Sequence, residues 1–373
     1  MPDRDSQRRL STWLRCAAIT LFYVTVCTPV QAESDQDFVF FTSVDTFNNK
    51  FSDPPPEASD SFIRPTLDVL YTYSGDNFRF LGEYLWSSTE SELERFKVGW
   101  QADAQTMLWI GRFHATSKYW TSEYHHGQFL QTPITRPSVE EWEDESGPMP
   151  SHLTGLSIEQ ERDLSSERAL NWALSIGLAP KFVSDELEAF DLLDPESGHK
   201  VGVNARFVIK PEVLGDNQFG VLIAWNDINV ESDSSPVLAD LDRIKQTTIG
   251  MFGDWRWSDW RLIASLTYFD NHMEHVDRDV HDKFALGYVQ FEYELNSNWT
   301  AFGRSDNGID EDSSPYLRLL PAFIAHRNML GARWDFRPFQ SLTVELADTS
   351  AQGRERNHNN FKEIRFQWSG VFQ

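Results

Sequence analysis

The sequence predicts an all-β protein, a transmembrane antiparallel β-barrel of about sixteen strands. Three observations predict it: segments of about ten residues with period-two hydropathy, connections that are short and long in turn, and an export signal at the front. Leu67, Val69, Tyr71 and Tyr73 alternate with Asp68, Leu70 and Thr72. After Ser74-Gly75-Asp76-Asn77, Phe78, Phe80, Gly82, Tyr84 and Trp86 alternate with Arg79, Leu81, Glu83 and Leu85. Period two means strands, and one apolar face per strand leaves the other face to water. With an export signal in front, that pattern describes lipid outside a ring and water inside it, in the outer membrane.

The first element is the signal. Arg4, Arg8, Arg9 and Arg15 precede an apolar run from Cys16 to Val30, which closes on Val30-Gln31-Ala32. A charged start, a short apolar core and small residues at the end make a cleavable signal peptide over residues 1–32. The barrel is then expected over 33–373. Val24-Thr25-Val26-Cys27 is a poor lipidation box. The only two cysteines, Cys16 and Cys27, leave with the signal, so the exported chain has neither disulfide nor thiolate metal ligand.

The formal net charge is −24, and losing the arginine-rich signal makes it more negative. Such a chain repels nucleic acid and anionic surfaces. Its 14% aromatic content and 14 Trp argue against disorder. No later apolar run approaches the roughly 20 residues of a spanning helix. A mean hydropathy of −0.46 would exclude a helical membrane protein but not a barrel, because half of each strand and every loop are polar.

The strands follow in order near 38–46, 64–73, 78–87, 94–102, 106–113, 168–178, 185–193, 200–210, 217–226, 245–254, 260–269, 283–294, 299–304, 323–335, 341–349 and 361–372. The seventh, 185–193, has the weakest pattern. It is required to keep the loops in phase: short at Ser74–Asn77, Asp103–Gln105, Trp257–Asp259, Asn296–Asn298 and Arg337–Gln340, and long at 47–61, 114–166, 227–243, 270–281, 305–320 and 350–359. Short periplasmic turns opposite long external loops are the outer-membrane arrangement. Aromatics flank the short turns, among them Trp255, Trp257, Trp260, Tyr293, Trp299, Phe336 and Phe339, as at a membrane interface. A soluble β-sandwich would alternate too, but at this length it needs two domains, and no linker divides the chain.

Strand count, loop alternation and the last strand, Phe361–Phe372, together resemble the Gram-negative outer-membrane porins of the sixteen-stranded kind. The resemblance is one of pattern over the whole exported chain. It implies that the long loop, 114–166, folds into the lumen and narrows a pore for small hydrophilic solutes or ions. It also implies a homotrimer in outer-membrane lipid, and a last strand read by the barrel-assembly machinery. That strand typically ends in an aromatic residue; here Gln373 follows Phe372.

The long loop carries Glu140-Glu141-Trp142-Glu143-Asp144-Glu145. If it lies in the lumen, Glu140, Glu141, Glu143, Asp144 and Glu145 form the acidic side of a constriction, which favours cations. Otherwise the run is a solvated surface. Gly147-Pro148 and Met149-Pro150 would give the loop a fixed path. Opposite, strand parity points Arg79, Arg95, Lys97 and Arg112 inward, the last by placing Trp109, Gly111 and Phe113 outside. A cation on the lipid face would cost about 2–4 kcal/mol at midplane. The bland alternative for these four is structural pairing with Glu83, Glu94 or the loop acids.

His125-His126-Gly127 sits in the same long loop, with His114 and His152 nearby. Adjacent histidines point apart and no carboxylate spacing completes a recognised site, so neither metal nor cofactor is expected. There is no Gly-x-Ser-x-Gly and no phosphate loop. The expectation is a passive, cation-leaning pore and not an enzyme. The alternatives are an outer-membrane hydrolase and a non-conducting structural or binding barrel.

Overall fold

A computed structural model describes residues 35–373, apart from 52–60, 89–90, 126–128, 184–185, 214, 232–237, 239, 321 and 353–357. The expected signal, 1–32, lies outside the described residues. Sixteen strands make the barrel: β1 Asp35–Phe51, β2 Ser61–Ser74, β3 Phe78–Ser87, β4 Ser91–Gln101, β5 Thr106–His114, β6 His152–Asp163, β7 Ala169–Leu178, β8 Val201–Lys210, β9 Gln218–Glu231, β10 Leu241–Trp257, β11 Trp260–His275, β12 Asp279–Asn296, β13 Trp299–Ile309, β14 Ile324–Arg337, β15 Gln340–Gln352 and β16 His358–Phe372. Each pairs antiparallel with its neighbours, and β16 pairs with β1 (Phe40 opposite Phe372), so the sheet closes without an edge. Closure satisfies every ladder hydrogen bond between strands, the condition for crossing lipid.

Alternation is sharpest on β9. Phe219, Val221, Ile223 and Trp225 are exposed, while Gly220, Leu222, Ala224 and Asn226 are buried. The exposed set continues as Ile249 and Met251 on β10, Leu266 and Tyr268 on β11 and Val289 and Phe291 on β12. This is a contiguous apolar outer band, far larger than a soluble protein shows. Aromatic pairs sit beside the short turns: Trp260 on Tyr293 at 4.4 Å and Trp299 on Trp334 at 5.5 Å between ring centroids.

The expected count of sixteen holds, but one member differs. Residues 185–193 are not a barrel strand. Short strands at Lys181–Val183 and Glu186–Glu188 form a small hairpin, with Val183 opposite Glu186 and Phe182 paired in parallel to Val230. The strand that keeps the loops in phase is β6, inside the segment expected to be loop. Its outer face offers only Leu156 and Ile158 before the polar run Glu159-Gln160-Glu161-Arg162, so its period-two signal is weak. The long loop is therefore 115–151 and not 114–166. At the head of β5 to β7, Gly111, Gly155 and Gly177 pair across the sheet. A Cβ on Gly111 (φ 136°) would meet the Phe96 carbonyl oxygen at 2.1 Å, and one on Gly155 the Ile176 carbonyl oxygen at 2.2 Å. Only glycine allows so close a strand approach.

Candidate functional site

The site is built by the 115–151 loop and the inward side chains it meets. A short helix, α1 (Tyr119–Tyr124), opens it. Tyr119 and Trp120 are fully buried in one apolar cluster with Val139 and Met149 from the loop and Leu222, Phe252, Phe284 and Tyr288 from the strands. The Tyr119 ring lies 4.4 Å from that of Phe252. Phe182 and Leu187 of the small hairpin, and Tyr316, Leu317 and Phe323 before β14, join the same cluster.

Hydrogen bonds to inward side chains fix the rest of the loop across the ring. Tyr119 Oη donates to Asp254 Oδ2 at 2.6 Å on β10, and Arg261 of β11 donates to Tyr124 Oη at 2.7 Å. Glu345 of β15 accepts from the Ile134 and Thr135 amides at 3.0 and 3.2 Å and from Thr135 Oγ1 at 2.6 Å. Arg304 of β13 donates to the Thr135 and Arg136 carbonyl oxygens, both at 2.7 Å. Arg333 of β14 donates to the Gln131 carbonyl oxygen at 2.6 Å. Gly147 turns tightly, since a Cβ there would meet the Glu141 carbonyl oxygen at 2.2 Å, and Pro148 O accepts from Tyr316 Oη at 2.8 Å.

These contacts run from β10 to β15, and the space left open lies on the other side. A cavity of about 570 Å³ is bounded by the loop, by the small hairpin and the residues just after it, by His152 at the start of β6, and by β14, β16 and β1 to β4. Ten carboxylates and four guanidiniums line it, so its wall is acidic. Of the acidic run, Asp144 and Glu145 are exposed and Glu141 half-buried on this wall. Glu143 lies on the wall but is buried, accepting from the Ser151 amide at 2.6 Å and pairing with His152 Nδ1 at 2.8 Å. Glu140 faces the other way. It is fully buried, accepts from the Trp120 amide at 3.2 Å and is not part of the wall.

Burial sets the protonation of this loop. It pushes the Glu140 carboxyl up to about 7 against the pull of Lys118, and Glu141 up to about 7, helped by the neighbouring Glu145. For Glu143 burial is outweighed by the hydrogen bonds from His152 and Ser151, which hold it below the usual range. Burial brings the Lys118 ammonium down to about 8; its Nζ donates to the Glu141 carbonyl oxygen and Ser151 Oγ, both at 2.6 Å.

The four expected cations sit apart from the cavity wall. Arg79 lies beside a short turn, bonded to Gly75 O and, at 2.8 Å, Gln101 Oε1. Arg95 is buried against Glu83 of β3. Lys97 lies 4.1 Å over the Trp109 ring and 3.8 Å from Glu159. Arg112 is buried, bonded to Glu92 and, at 2.7 Å, to Phe190 O. On β5 the parity is opposite to that expected. Leu108 and Ile110 are the exposed residues and Trp109 sits under Lys97, while Gly111 breaks the alternation just before Arg112.

The cations that do line the cavity are Arg64 on β2, Arg136 on the loop, Arg327 on β14 and Arg365 on β16. Arg64 Nη1 reaches Glu145 Oε1 at 3.0 Å and ties the loop to the wall. Their signal was parity: Arg64 alternates with Ile63, and Arg365 is flanked by Ile364 and Phe366. For the three on strands, Arg64, Arg327 and Arg365, distance from the loop in sequence hid that they meet it. His125 lies against Arg95, with 3.1 Å between Nδ1 and Nη1. His126 lies outside the described residues.

No protein-family model matches the sequence, and no curated protein does. Solved structures do. The chain is similar to the outer membrane channel DcaP of Acinetobacter baumannii (TM-score 0.60, 10% identity, 92% of this chain and 99% of that one). It is similar to an anion-selective porin of Comamonas acidovorans (0.61, 11%, 91% and 100%) and to OmpF of Salmonella typhi in complex with daunomycin (0.57, 12%, 90% and 97%). The fold is that of the outer-membrane porins. At such identities the likeness carries the barrel and no residue-level role. With its apolar outer band, this is a sixteen-stranded outer-membrane barrel of porin type.

Proposed function

We propose that the protein is a passive diffusion channel for small hydrophilic solutes or ions, with a preference for cations. The observation that supports this reading is the acidic cavity left beside the 115–151 loop, with Glu141, Asp144 and Glu145 from the loop and Arg64, Arg327 and Arg365 from the strands. A passage with carboxylates facing guanidiniums has a transverse field that orients dipolar solutes and disfavours apolar ones. The excess of carboxylates favours cations. Glu143 takes part on the same wall through its pair with His152. Glu140 acts as a packing residue, and Arg79, Arg95, Lys97 and Arg112 as braces of the near wall. Conduction of this kind needs no cofactor and no catalytic residue.

The resemblance to porins further supports a homotrimer in outer-membrane lipid and recognition of Phe361–Phe372, within the closing strand β16, by the assembly machinery. Single-channel recording of the exported chain in a planar bilayer under a salt gradient tests the reading. Discrete ohmic steps with a cation-signed reversal potential are the expected result. A folded, heat-modifiable barrel without conductance would overturn it in favour of a binding or hydrolytic barrel.

A further inference from the structure

We propose that Glu94, His114 and His152 form a site for a divalent transition-metal ion of the zinc type, set in the barrel wall at the root of the long loop. One ligand atom from each of the three lies within 4.8 Å of the others, and all three residues are buried. The backbone places them. His114 ends β5, His152 begins β6, and the two pair directly across the ladder, with ring centroids 5.1 Å apart. Glu94 is the extra residue of a bulge on β4: Glu83 pairs with Arg95 while Tyr84 pairs with Leu93. The bulge turns Glu94 and Arg95 to the same buried side, which plain alternation forbids.

The spacing suits an ion. His152 Nε2 and Glu94 Oε2 are 3.0 Å apart. Ligand atoms on a tetrahedral zinc with bonds of about 2.0–2.1 Å stand roughly 3.3 Å from one another, so a slight opening seats it. Glu143 Oε1 lies 2.8 Å from His152 Nδ1, the carboxylate-to-imidazole contact that aims the far nitrogen at a metal. The Ser151 amide holds that carboxylate in turn. Trp142 lies parallel to the His152 ring at 5.5 Å. Glu94 and His152 line the 570 Å³ cavity, which gives the ion a path in and a solvent ligand for the fourth position. Two imidazoles and one carboxylate, with no sulfur, fit zinc and its neighbours better than calcium or magnesium. An ion there would join β4, β5 and β6 to the loop through Glu143. The alternative occupant of the gap is a proton shared by His152 and Glu94.

The test uses the exported full chain, folded in detergent and verified by heat-modifiable migration, with zinc titrated against a chromophoric chelator. The expected result is one high-affinity ion per barrel. Glu94→Gln and His114→Asn, on different strands, should each abolish competition with the chelator, and Glu143→Gln should weaken it about 10–100-fold through the lost orienting bond. His272→Ala, in the separate and more exposed histidine pair with His281, should leave binding unchanged. Folded wild-type protein that takes up no stoichiometric zinc overturns the proposal. So does uptake that survives both Glu94→Gln and His114→Asn, or uptake lost with His272. None of these readings depends on whether the barrel conducts.

Discussion

Two arcs of the inner wall differ in kind. From β8 to β12 the buried inward residues include Val208, Leu222, Phe252, Ile263, Phe269, Phe284 and Leu286. From β14 round to β4 they include Arg327, Glu345, Glu363, Asp45, Asp68, Glu83 and Glu94. The first arc mixes these large apolar side chains with polar ones such as Asn226, Gln246 and Gln290, whereas charged groups dominate the second. The long loop follows that difference: Tyr119, Trp120 and Met149 go down on the first arc, and Glu141, Glu143, Asp144 and Glu145 are left facing the second. A barrel that conducted through its centre would need a polar lining all round. Here one arc packs the loop and the other borders the cavity.

The sharpest way to break this division is to remove the anchor. Trp120 is fully buried and its Nε1 donates to Gln131 Oε1 at 2.7 Å. Trp120→Ala should cost the loop about 3–5 kcal/mol of packing. Loop residues should then become sensitive to protease, and single-channel current should grow larger and noisier. Unchanged current with a protease-resistant loop would mean that the apolar arc does not position it.

The second effect is on charge and leaves packing alone. A unit charge 4 Å from an ion is worth about 1 kcal/mol in water. Glu141→Gln, Asp144→Asn and Glu145→Gln together should therefore lower the cation/anion permeability ratio several-fold. The reverse set, Arg64→Gln with Arg327→Gln and Arg365→Gln, should raise it. Reversal potentials indifferent to both sets would detach selectivity from this wall.

The two arcs were unequally legible in the sequence. Outer faces read well because lipid tolerates only apolar side chains, so Phe219, Val221, Ile223 and Trp225 alternate cleanly with whatever faces inward. The inner face reads poorly where it is apolar too. On β10 to β12, Phe252, Ile263 and Phe284 break the contrast that period two relies on, and nothing local says that a loop more than a hundred residues away will cover them. Near the site the failures were small irregularities of backbone. The β4 bulge brings Glu94 inside beside Arg95, and Gly111 resets β5 before Arg112. The His114–His152 pairing could not be seen while β6 was read as loop.

Acidity couples the arcs, and its sign can be worked out. Glu140 packs against the apolar side with its carboxyl raised to about 7 by burial, and Glu141 is raised on the polar side. A carboxyl raised above its free value of 4.5 stabilises the packed loop relative to the released one at low pH, and this contribution is lost as pH climbs through about 7. Loop protection from protease should thus fall between about pH 4.5 and 7, and Glu140→Gln and Glu141→Gln should each flatten part of that fall. As Glu141 ionises near pH 7 cation preference should rise, a change that Glu141→Gln should remove and Glu140→Gln should leave in place.

The smallest expected effect concerns the near-wall cations. Arg79 bonds to Gln101 at 2.8 Å beside a short turn, and Lys97 stands over Trp109. Both are tied to their own or neighbouring strands, and neither belongs to the cavity wall. Beyond about 8 Å at physiological salt, a charge facing water is largely screened from an ion in the passage. Arg79→Gln and Lys97→Met should therefore leave the reversal potential where it was, while Arg64→Gln alone moves it. If instead Lys97→Met shifts selectivity as far as Arg64→Gln does, ions pass close to β3–β5. The polar arc would then extend further round the ring than the cavity beside the acidic run.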